Sequence, residues 1–252
     1  MFRHIYPISS PIILPERADL IGSFPCSAHG GAGLVANDDF QGDCMVIQRG
    51  GKGRFNAFRS HVWDLFFRSQ HGLRIMDIEL SQHSMIKRCM FREFGDAPAL
   101  RITGDTSSME DCDFWADQGR KVKLQKGPAA VALDGLRQFS IRDCTVHKAY
   151  VRFALNNCYS VTIDAPETEM VPIPIAASYH ANSCEVRNGR FLHNDLVLDL
   201  VSHKWGRKEF DLRISGTSQQ KPCLRLPDKV IEDMPIRSNR KSPTAKAFDF
   251  LV

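Results

Sequence analysis

The sequence predicts an all-β fold, a single-stranded right-handed parallel β-helix whose coils stack as a solenoid. A short motif (apolar, two polar, Cys, polar, apolar) recurs at Cys89, Cys112, Cys144 and, more loosely, Cys184. These cysteines stand 23, 32 and 40 residues apart, too regularly for chance and too unevenly for a helical repeat array. Such spacing is expected of stacked β-coils whose loops differ in length. No stretch carries a helical stripe of apolar residues over three turns, which excludes a mainly helical fold.

A second type of strand supports the same fold. Stretches rich in Ala, Val and Leu, each ending at a polar corner, occupy residues 99–104, 130–135, 151–157 and 196–200. Short strands with alternating inward and outward side chains, joined by corners of Gly, Asn and Asp, are what a parallel β-helix requires. Equivalent inward side chains then lie about 4.8 Å apart in neighbouring coils. The four motif cysteines are therefore expected to stack in one inward column of buried, free thiols.

The chain is long enough to bury one sizeable core, since all-β folds of 252 residues are commonly single domains. Residues 1–226 are expected to form the β-helix, with a lead-in over residues 1–54 and regular coils over residues 55–215. Residues 227–252 contain three prolines and a basic run. This composition predicts an extended C-terminal tail.

Charge and hydropathy exclude several classes of protein. The formal net charge is only +4, from 33 Lys plus Arg and 29 Asp plus Glu. This balance does not predict nucleic-acid binding. The sequence contains no run of 18 apolar residues, so it predicts no membrane insertion. The N-terminal residues lack the continuous apolar run of a signal peptide. Buried free thiols point to folding in a reducing compartment.

Acidic residues beside the cysteine motif are the candidates for catalysis. Glycoside hydrolysis needs two carboxylates across one cleft. The sequence offers Glu110, Asp111, Asp113 and Asp117 in one coil and Asp143 in the next. If the cysteines are in register, Asp111 and Asp143 are near neighbours on the outer surface. The alternative interpretation is a solvated corner, because Asp is common in turns.

A second acidic set, Asp164, Glu167 and Glu169, falls in a proline-containing stretch over residues 165–174. We expect this stretch to be a loop that could overhang a groove.

Sugar rings stack on exposed aromatic side chains, and the candidates are Trp115, Tyr150, Tyr159, Tyr179 and Trp205. Of these, Trp115, Tyr159 and Trp205 are predicted to bind carbohydrate, and Trp205 lies in the most polar surroundings.

Metal and cofactor chemistry is not predicted. No two of the nine histidines have the close spacing that a zinc site favours, and no Cys-x-x-Cys occurs. The glycines at positions 30, 31 and 33 lack the Lys-Ser/Thr ending of a phosphate-binding loop. No Gly-x-Ser-x-Gly elbow marks a serine nucleophile, although a triad assembled in space stays open.

The order of these segments carries a family resemblance. It runs Ile13-Leu14-Pro15, Leu20-Ile21-Gly22, Gly42-Asp43-Cys44-Met45-Val46-Ile47 and then repeated Ile-x-x-Cys-x-Phe coils. Over residues 12–215 this order resembles the pectate-lyase-like β-helix domains of bacteriophage tailspikes and related virion proteins. The resemblance implies a homotrimer with three β-helices side by side. Many such proteins cleave host polysaccharide, and others only adsorb to the host or cap or decorate the particle.

Two departures from the family favour a structural role. We expect neither a head-binding domain before the coils nor a trimerisation module after them, which favours a compact virion component such as a capsid knob or a baseplate part. Residues 62–65 read Val-Trp-Asp-Leu, so the Trp-x-Asp-His signature of pectate lyases fails at its His, and the calcium-binding Asp cluster is missing.

The leading hypothesis is therefore a bacteriophage virion structural protein that acts in host attachment or in decoration or stabilisation of the capsid or tail. It is expected to be a homotrimer, to contact other virion proteins through its termini, and to be assembled in the host cytoplasm. The alternative is a polysaccharide depolymerase, a hydrolase or lyase, that acts on host surface glycans through Glu110, Asp111, Asp113 or Asp143. A bacterial surface β-helix is disfavoured by the missing signal peptide and the free cysteines.

Overall fold

The computed structural model describes a set of ranges that covers most of the chain as far as residue 192. These are residues 4–22, 31–48, 59–69, 73–94, 98–116, 129–149, 151–169, 171, 173–178, 181, 183–192, 198–201, 212–215, 218–219 and 224–225. All regular structure within these ranges is β-strand, and every strand pairing is parallel. Within the same ranges, no helix has the length and hydropathy of a membrane span. The predicted tail over residues 227–252 lies outside the described residues.

Within the described residues, twenty-five strands form three sheets that wrap around one core. Sheet I contains β2 (Ile12–Leu14), β5 (Cys44–Gln48), β8 (Arg74–Leu80), the first half of β11 (Leu100–Glu110), β13 (Ala129–Asp134), β16 (Val151–Asn156), β19 (Ile173–Ser178), β22 (Leu198–Val201) and β25 (Leu224–Arg225). Sheet II contains β3 (Leu20–Ile21), β6 (His61–Trp63), β9 (Met85–Lys87), the second half of β11, β14 (Arg137–Arg142), β17 (Tyr159–Asp164), β20 (Cys184–Arg187) and β23 (Leu212–Ser215). Sheet III contains β1 (His4–Ile8), β4 (Ala32–Ala36), β7 (Leu65–Arg68), β10 (Met90–Phe94), β12 (Asp113–Ala116), β15 (Thr145–His147), β18 (Glu167–Glu169), β21 (Arg190–Leu192) and β24 (Ser218–Gln219).

The chain visits the sheets in the fixed order I, II, III, and each strand pairs with the strand of the same sheet one coil later. This connectivity is that of a parallel β-helix, so the predicted fold class is confirmed at the level of an all-β solenoid. The lead-in predicted over residues 1–54 already contains β1 to β5, which are in register with the coils that follow.

The interior is filled by ladders of apolar side chains, since inward positions of one coil lie against the same positions of the next. Phe67, Phe91 and Phe114 form the clearest ladder, on the inner side of sheet III. Their ring centroids are 5.3 and 4.6 Å apart, the rings are within 9° of parallel, and all three side chains are fully buried. Parallel stacking of this kind combines burial with aromatic contact and fixes the coil register.

Residues with left-handed backbone form the corner between sheets II and III. Asp64, Arg88, Asp111, Asp143, Ala165 and Asn188 occupy the same position of successive coils, with φ between 48° and 59°. The N–H of Asp111 donates to the carbonyl of Arg142, and that of Asp143 donates to the carbonyl of Asp164, both at 3.1 Å. Each corner is therefore tied to the next coil, which offsets the cost of left-handed backbone in non-glycine residues.

Gly104 marks the bend of β11 from sheet I into sheet II. Its φ is +118°, and a Cβ built there would lie 1.7 Å from the carbonyl oxygen of Leu80. Only glycine fits such a close approach of two backbones.

The predicted cysteine column is correct for three of its four members. Cys89, Cys112 and Cys144 directly precede paired positions of sheet III, and all three are buried. Cys184 was placed wrongly, because it belongs to sheet II and lies one coil beyond Val161. Six cysteines are free and buried within the described residues, as predicted, namely Cys44, Cys89, Cys112, Cys144, Cys158 and Cys184.

The prediction of a loop over residues 165–174 is also wrong. Glu167–Glu169 is strand β18, and Ile173–Ser178 is strand β19, both in register with their neighbours. Pro174 lies within β19, between Ile173 and Ile175, which both keep their pairing with β16. The 40 residues between Cys144 and Cys184 thus contain parts of two coils.

Candidate functional site

A ladder of polar and aromatic side chains crosses the outer face of sheet III. Arg92, Trp115, His147 and Glu169 are paired positions of β10, β12, β15 and β18. We call these four residues the Trp115 ladder. They face outward because the residues just before them on β10 and β12, Phe91 and Phe114, face the core.

Trp115 is enclosed within its ladder. The guanidinium carbon of Arg92 lies 4.4 Å from the indole centroid, and the imidazole of His147 stacks with its centroid at 4.1 Å. Because β10 and β15 flank β12, these two groups cover opposite faces of the indole. A sugar ring could stack on Trp115 only if Arg92 or His147 moved away.

Asp113 lies beside the ladder on the same strand as Trp115. Its Oδ2 accepts a hydrogen bond from Trp115 Nε1 at 2.8 Å, and its Oδ1 lies 3.6 Å from His147 Nε2. Burial raises the pKa of this carboxyl group, and the Trp115 hydrogen bond and the nearby His147 and Arg92 only partly oppose that effect. Oδ1 is buried without a hydrogen-bond partner among the described residues. The raised pKa and the unpartnered Oδ1 make Asp113 the candidate for a general acid in this site.

His147 connects two carboxylates. Its Nδ1 lies 3.2 Å from Glu169 Oε2, on the side of the ring opposite to Asp113. Asp113, His147 and Glu169 therefore lie in a row across three coils, in which His147 is within hydrogen-bond distance of Glu169 and 3.6 Å from Asp113. The two carboxylates orient the imidazole ring from opposite sides.

Glu110 belongs to a different surface. It lies on the outer face of sheet II, where Lys87, Glu110, Arg142, Asp164 and Arg187 occupy one position of successive strands with alternating charge. We call this set the charge ladder. Lys87 Nζ lies 2.9 Å from Glu110 Oε2, and Arg187 Nη2 lies 3.1 Å from Asp164 Oδ2. The side-chain hydrogen bond from Asn188 and the neighbouring Arg187 lower the pKa of Asp164.

Asp111 and Asp143 are adjacent at the corner between sheets II and III. The pairing of Asp113 with Thr145, two residues further along each strand, fixes this register. The predicted proximity of these two acids is therefore confirmed. Glu110 and Asp113 flank the corner on sheets II and III, so the four acids do not face one another across a single cleft.

The remaining candidates are spread over the molecule. Tyr159 begins β17 on sheet II and is 52% exposed, so it lies on a different face from Trp115. Glu167 lies on β18, where its Oε1 is 3.3 Å from Arg190 Nη1. Asp117, Tyr150, Tyr179 and Trp205 lie outside the described residues.

Sequence reasoning did not identify Arg92 and His147 as members of a site. The signal that could have found them is the coil register, which sets Arg92, Trp115, His147 and Glu169 at one position of four coils. The intervals along the chain are unequal, so the match is visible only when the strand pairing is known. Within the described residues, no group of three or more His, Cys, Asp or Glu side chains has the arrangement of a metal site.

The fold and these surfaces define a parallel β-helix protein with laddered outer faces. No family model matches the chain, and no curated protein matches it. Among solved structures, it is similar to a tailspike protein of the Acinetobacter baumannii bacteriophage Fri1, which is described as a capsular polysaccharide depolymerase. The identity is 11%, the TM-score is 0.21, and the match covers 96% of this chain and 52% of the other. The chain thus spans about half the length of that protein.

Proposed function

We propose that this chain is a bacteriophage virion structural protein of tailspike-like β-helix type. In this role it attaches the particle to the host surface or decorates and stabilises the capsid or tail. The observation that carries the proposal is the pairing of outward side chains with one another along the β-helix axis. Lys87 with Glu110, Arg187 with Asp164, and His147 with Glu169 each join neighbouring coils. A surface of mutually paired side chains suits a rigid rod better than an open catalytic groove.

Contacts with other virion proteins are proposed to involve the N-terminal end of the β-helix. Strands β1, β2 and β3 each pair on only one side within the described residues. Four large apolar side chains at this end are at least half exposed, namely Ile5, Tyr6, Ile13 and Ile21. An open strand edge with exposed apolar residues is a surface that another chain can cover.

The proposed homotrimer is tested by the mass of the protein in solution. Three chains of 28.4 kDa should give a particle of about 85 kDa by light scattering or native mass spectrometry. A monomer at micromolar concentration would contradict the trimer.

A depolymerase is the second candidate, and the raised pKa of Asp113 favours it. Two pairs of acids could serve, and their strand separations differ. Asp111 and Asp143 are one strand spacing apart, about 4.8 Å, which approaches the separation in retaining glycosidases. Asp113 and Glu169 lie on strands two spacings apart with the His147 ring between their carboxyl groups, 3.6 Å from one and 3.2 Å from the other, a wider separation that is closer to that of inverting glycosidases.

Incubation with capsular polysaccharide or lipopolysaccharide of the host, followed by a reducing-end assay, distinguishes the two functions. The structural role predicts no product, whether or not the polysaccharide binds. Product that is lost in Asp113→Asn and retained in Asp143→Asn would assign hydrolysis to Asp113 beside the Trp115 ladder. The reverse pattern would assign it to the corner acids.

A further inference from the structure

An arginine is buried inside the β-helix. Arg152 lies on β16 in sheet I, and its side chain has no solvent exposure. Its guanidinium carbon lies 4.5 Å from the centroid of the Phe153 ring, and its Nη2 donates a hydrogen bond to the carbonyl oxygen of Cys144. The side chain therefore reaches towards the corner between sheets II and III in the preceding coil.

Among the described residues, no carboxylate forms an ion pair or hydrogen bond with Arg152. Its Nε and Nη1 atoms have no hydrogen-bond partner among the described residues. Glu167 is near enough to raise the pKa of Arg152, but its own Oε1 lies beside Arg190, and its side chain is 45% exposed. Burial outweighs Glu167 and lowers the pKa of Arg152 to about 9, so the guanidinium is still protonated at neutral pH.

A second unpartnered donor lies in the same coil. Thr168 is the middle residue of β18, fully buried, and its Oγ1 has no hydrogen-bond partner among the described residues. It continues the inner ladder of sheet III, in which Phe114 is followed by Val146 and then Thr168. The backbone N–H of Glu167, the residue before Thr168, donates to the same Cys144 carbonyl oxygen as Arg152 Nη2, which brings this part of β18 close to the guanidinium.

We propose that Arg152 and Thr168 form an internal site for a small monovalent anion, of which chloride is the most available. Nε–H and Nη1–H of Arg152 and the hydroxyl of Thr168 are three hydrogen-bond donors in one coil. An anion accepts from all three and supplies the missing countercharge, whereas a water molecule supplies no charge. A buried cation without a counter-ion is strongly destabilising, so the site gives the ion a structural role that does not depend on host attachment.

Bromide serves as the probe because its anomalous scattering identifies it in a crystal. Crystals of the full chain soaked in sodium bromide should show an anomalous peak within hydrogen-bond distance of Arg152 Nε or Nη1. Absence of a peak there, in crystals with bromide bound elsewhere on the surface, would overturn the proposal.

Thermal unfolding tests the same site in solution. Replacing gluconate by 200 mM chloride at constant ionic strength should raise the midpoint by on the order of 3 °C, because the ion binds only the folded chain. Arg152→Met should abolish this rise, and Thr168→Val should reduce it. Arg137→Met, at an exposed position of β14, removes the same charge and should leave the full rise.

Equal chloride dependence in wild type and Arg152→Met would overturn the proposal, as would its absence from the wild type. If Arg152→Met does not fold, the bromide peak and the response of Thr168→Val decide the matter. An undiminished rise in Thr168→Val would then count against the site.

Discussion

The imidazole of His147 stacks on the indole of Trp115 across two neighbouring coils, with the ring centroids 4.1 Å apart and the rings 29° from parallel. Because the two residues are 32 positions apart in the chain, this contact exists only if the coils are in register. The pair therefore couples two coils on the outside of sheet III, as the phenylalanine ladder does on the inside.

A double-mutant cycle measures that coupling. We expect Trp115→Leu and His147→Ala to show a coupling free energy of about 0.5–1.5 kcal/mol in denaturant unfolding, the range for aromatic pairs. Tyr159→Leu, at an exposed aromatic residue of sheet II, should change the stability by less than about 0.5 kcal/mol. Additive effects of the Trp115 and His147 substitutions would contradict the coupling.

Asp113 should make stability fall as the pH rises. Its folded pKa is above its unfolded value, mainly through burial, so the folded chain binds more protons between the two values and loses stability as the pH rises through that window. Asp113→Asn removes this loss and retains an oxygen to accept the Trp115 hydrogen bond. The unfolding free energy of the variant minus that of the wild type should therefore be larger at pH 7 than at pH 4.

Asp164→Asn is the matched control, because the pKa of Asp164 is lowered by Asn188 and Arg187. Asp164 contributes stability above its unfolded pKa and loses that contribution as the pH falls through its folded pKa. This variant should therefore be less stable than the wild type at pH 7, and the difference should shrink in acid. The same sign for both variants would contradict the assigned shifts.

The charge ladder predicts that Glu110 contributes to stability and not to catalysis. Glu110→Gln should cost about 0.2–1 kcal/mol, the range for ion pairs at the protein surface. Glu110→Lys should cost more, since it places a third cation between Lys87 and Arg142. Unfolding in 1 M NaCl should reduce the extra cost, because the Debye length falls to about 3 Å. A cost that does not change with salt would show that packing dominates.

The corner position of Asp143 predicts a dependence on side-chain shape. Its φ is 51°, a conformation that Asn and Gly adopt readily and β-branched residues do not. Asp143→Asn should be nearly neutral in stability, whereas Asp143→Val should cost about 1–2 kcal/mol. If Asp143→Asn instead abolished a polysaccharide-cleaving activity without a change in stability, the corner would be a catalytic site.

The inner ladders could be predicted from the sequence, and the outer ones could not. Cys89, Cys112 and Cys144 share a local motif, and each inward position is restricted to a few apolar residue types. Arg92, Trp115 and His147 share no local motif, because an outward position accepts any residue that its two neighbours can contact. Their relationship depends on the length of each coil, which residue type does not reveal.

The wrong placement of Cys184 and the wrong prediction of a loop over residues 165–174 have one physical cause. Cys184 was aligned by residue identity, although its neighbour Glu185 pairs with Thr162 in sheet II. Pro166, in the coil after Cys144, and Gly189, in the coil after that, occupy the position where the motif expects cysteine, so the motif disappears while the backbone repeats. A corner needs a particular backbone conformation, and Ala165 and Asn188 adopt it as well as aspartate does.

The corner column has a consequence for how such a protein can change in length. Each left-handed residue is bonded to the coil beyond it by the same N–H to carbonyl contact, at 3.0 or 3.1 Å from Asp64 to Ala165. A whole coil can therefore be gained or lost as a module, while both neighbours keep their pairing. Every module adds about 4.8 Å along the axis and leaves the cross-section unchanged. The length of the β-helix is therefore set by the number of its coils, and each coil contributes one left-handed corner residue.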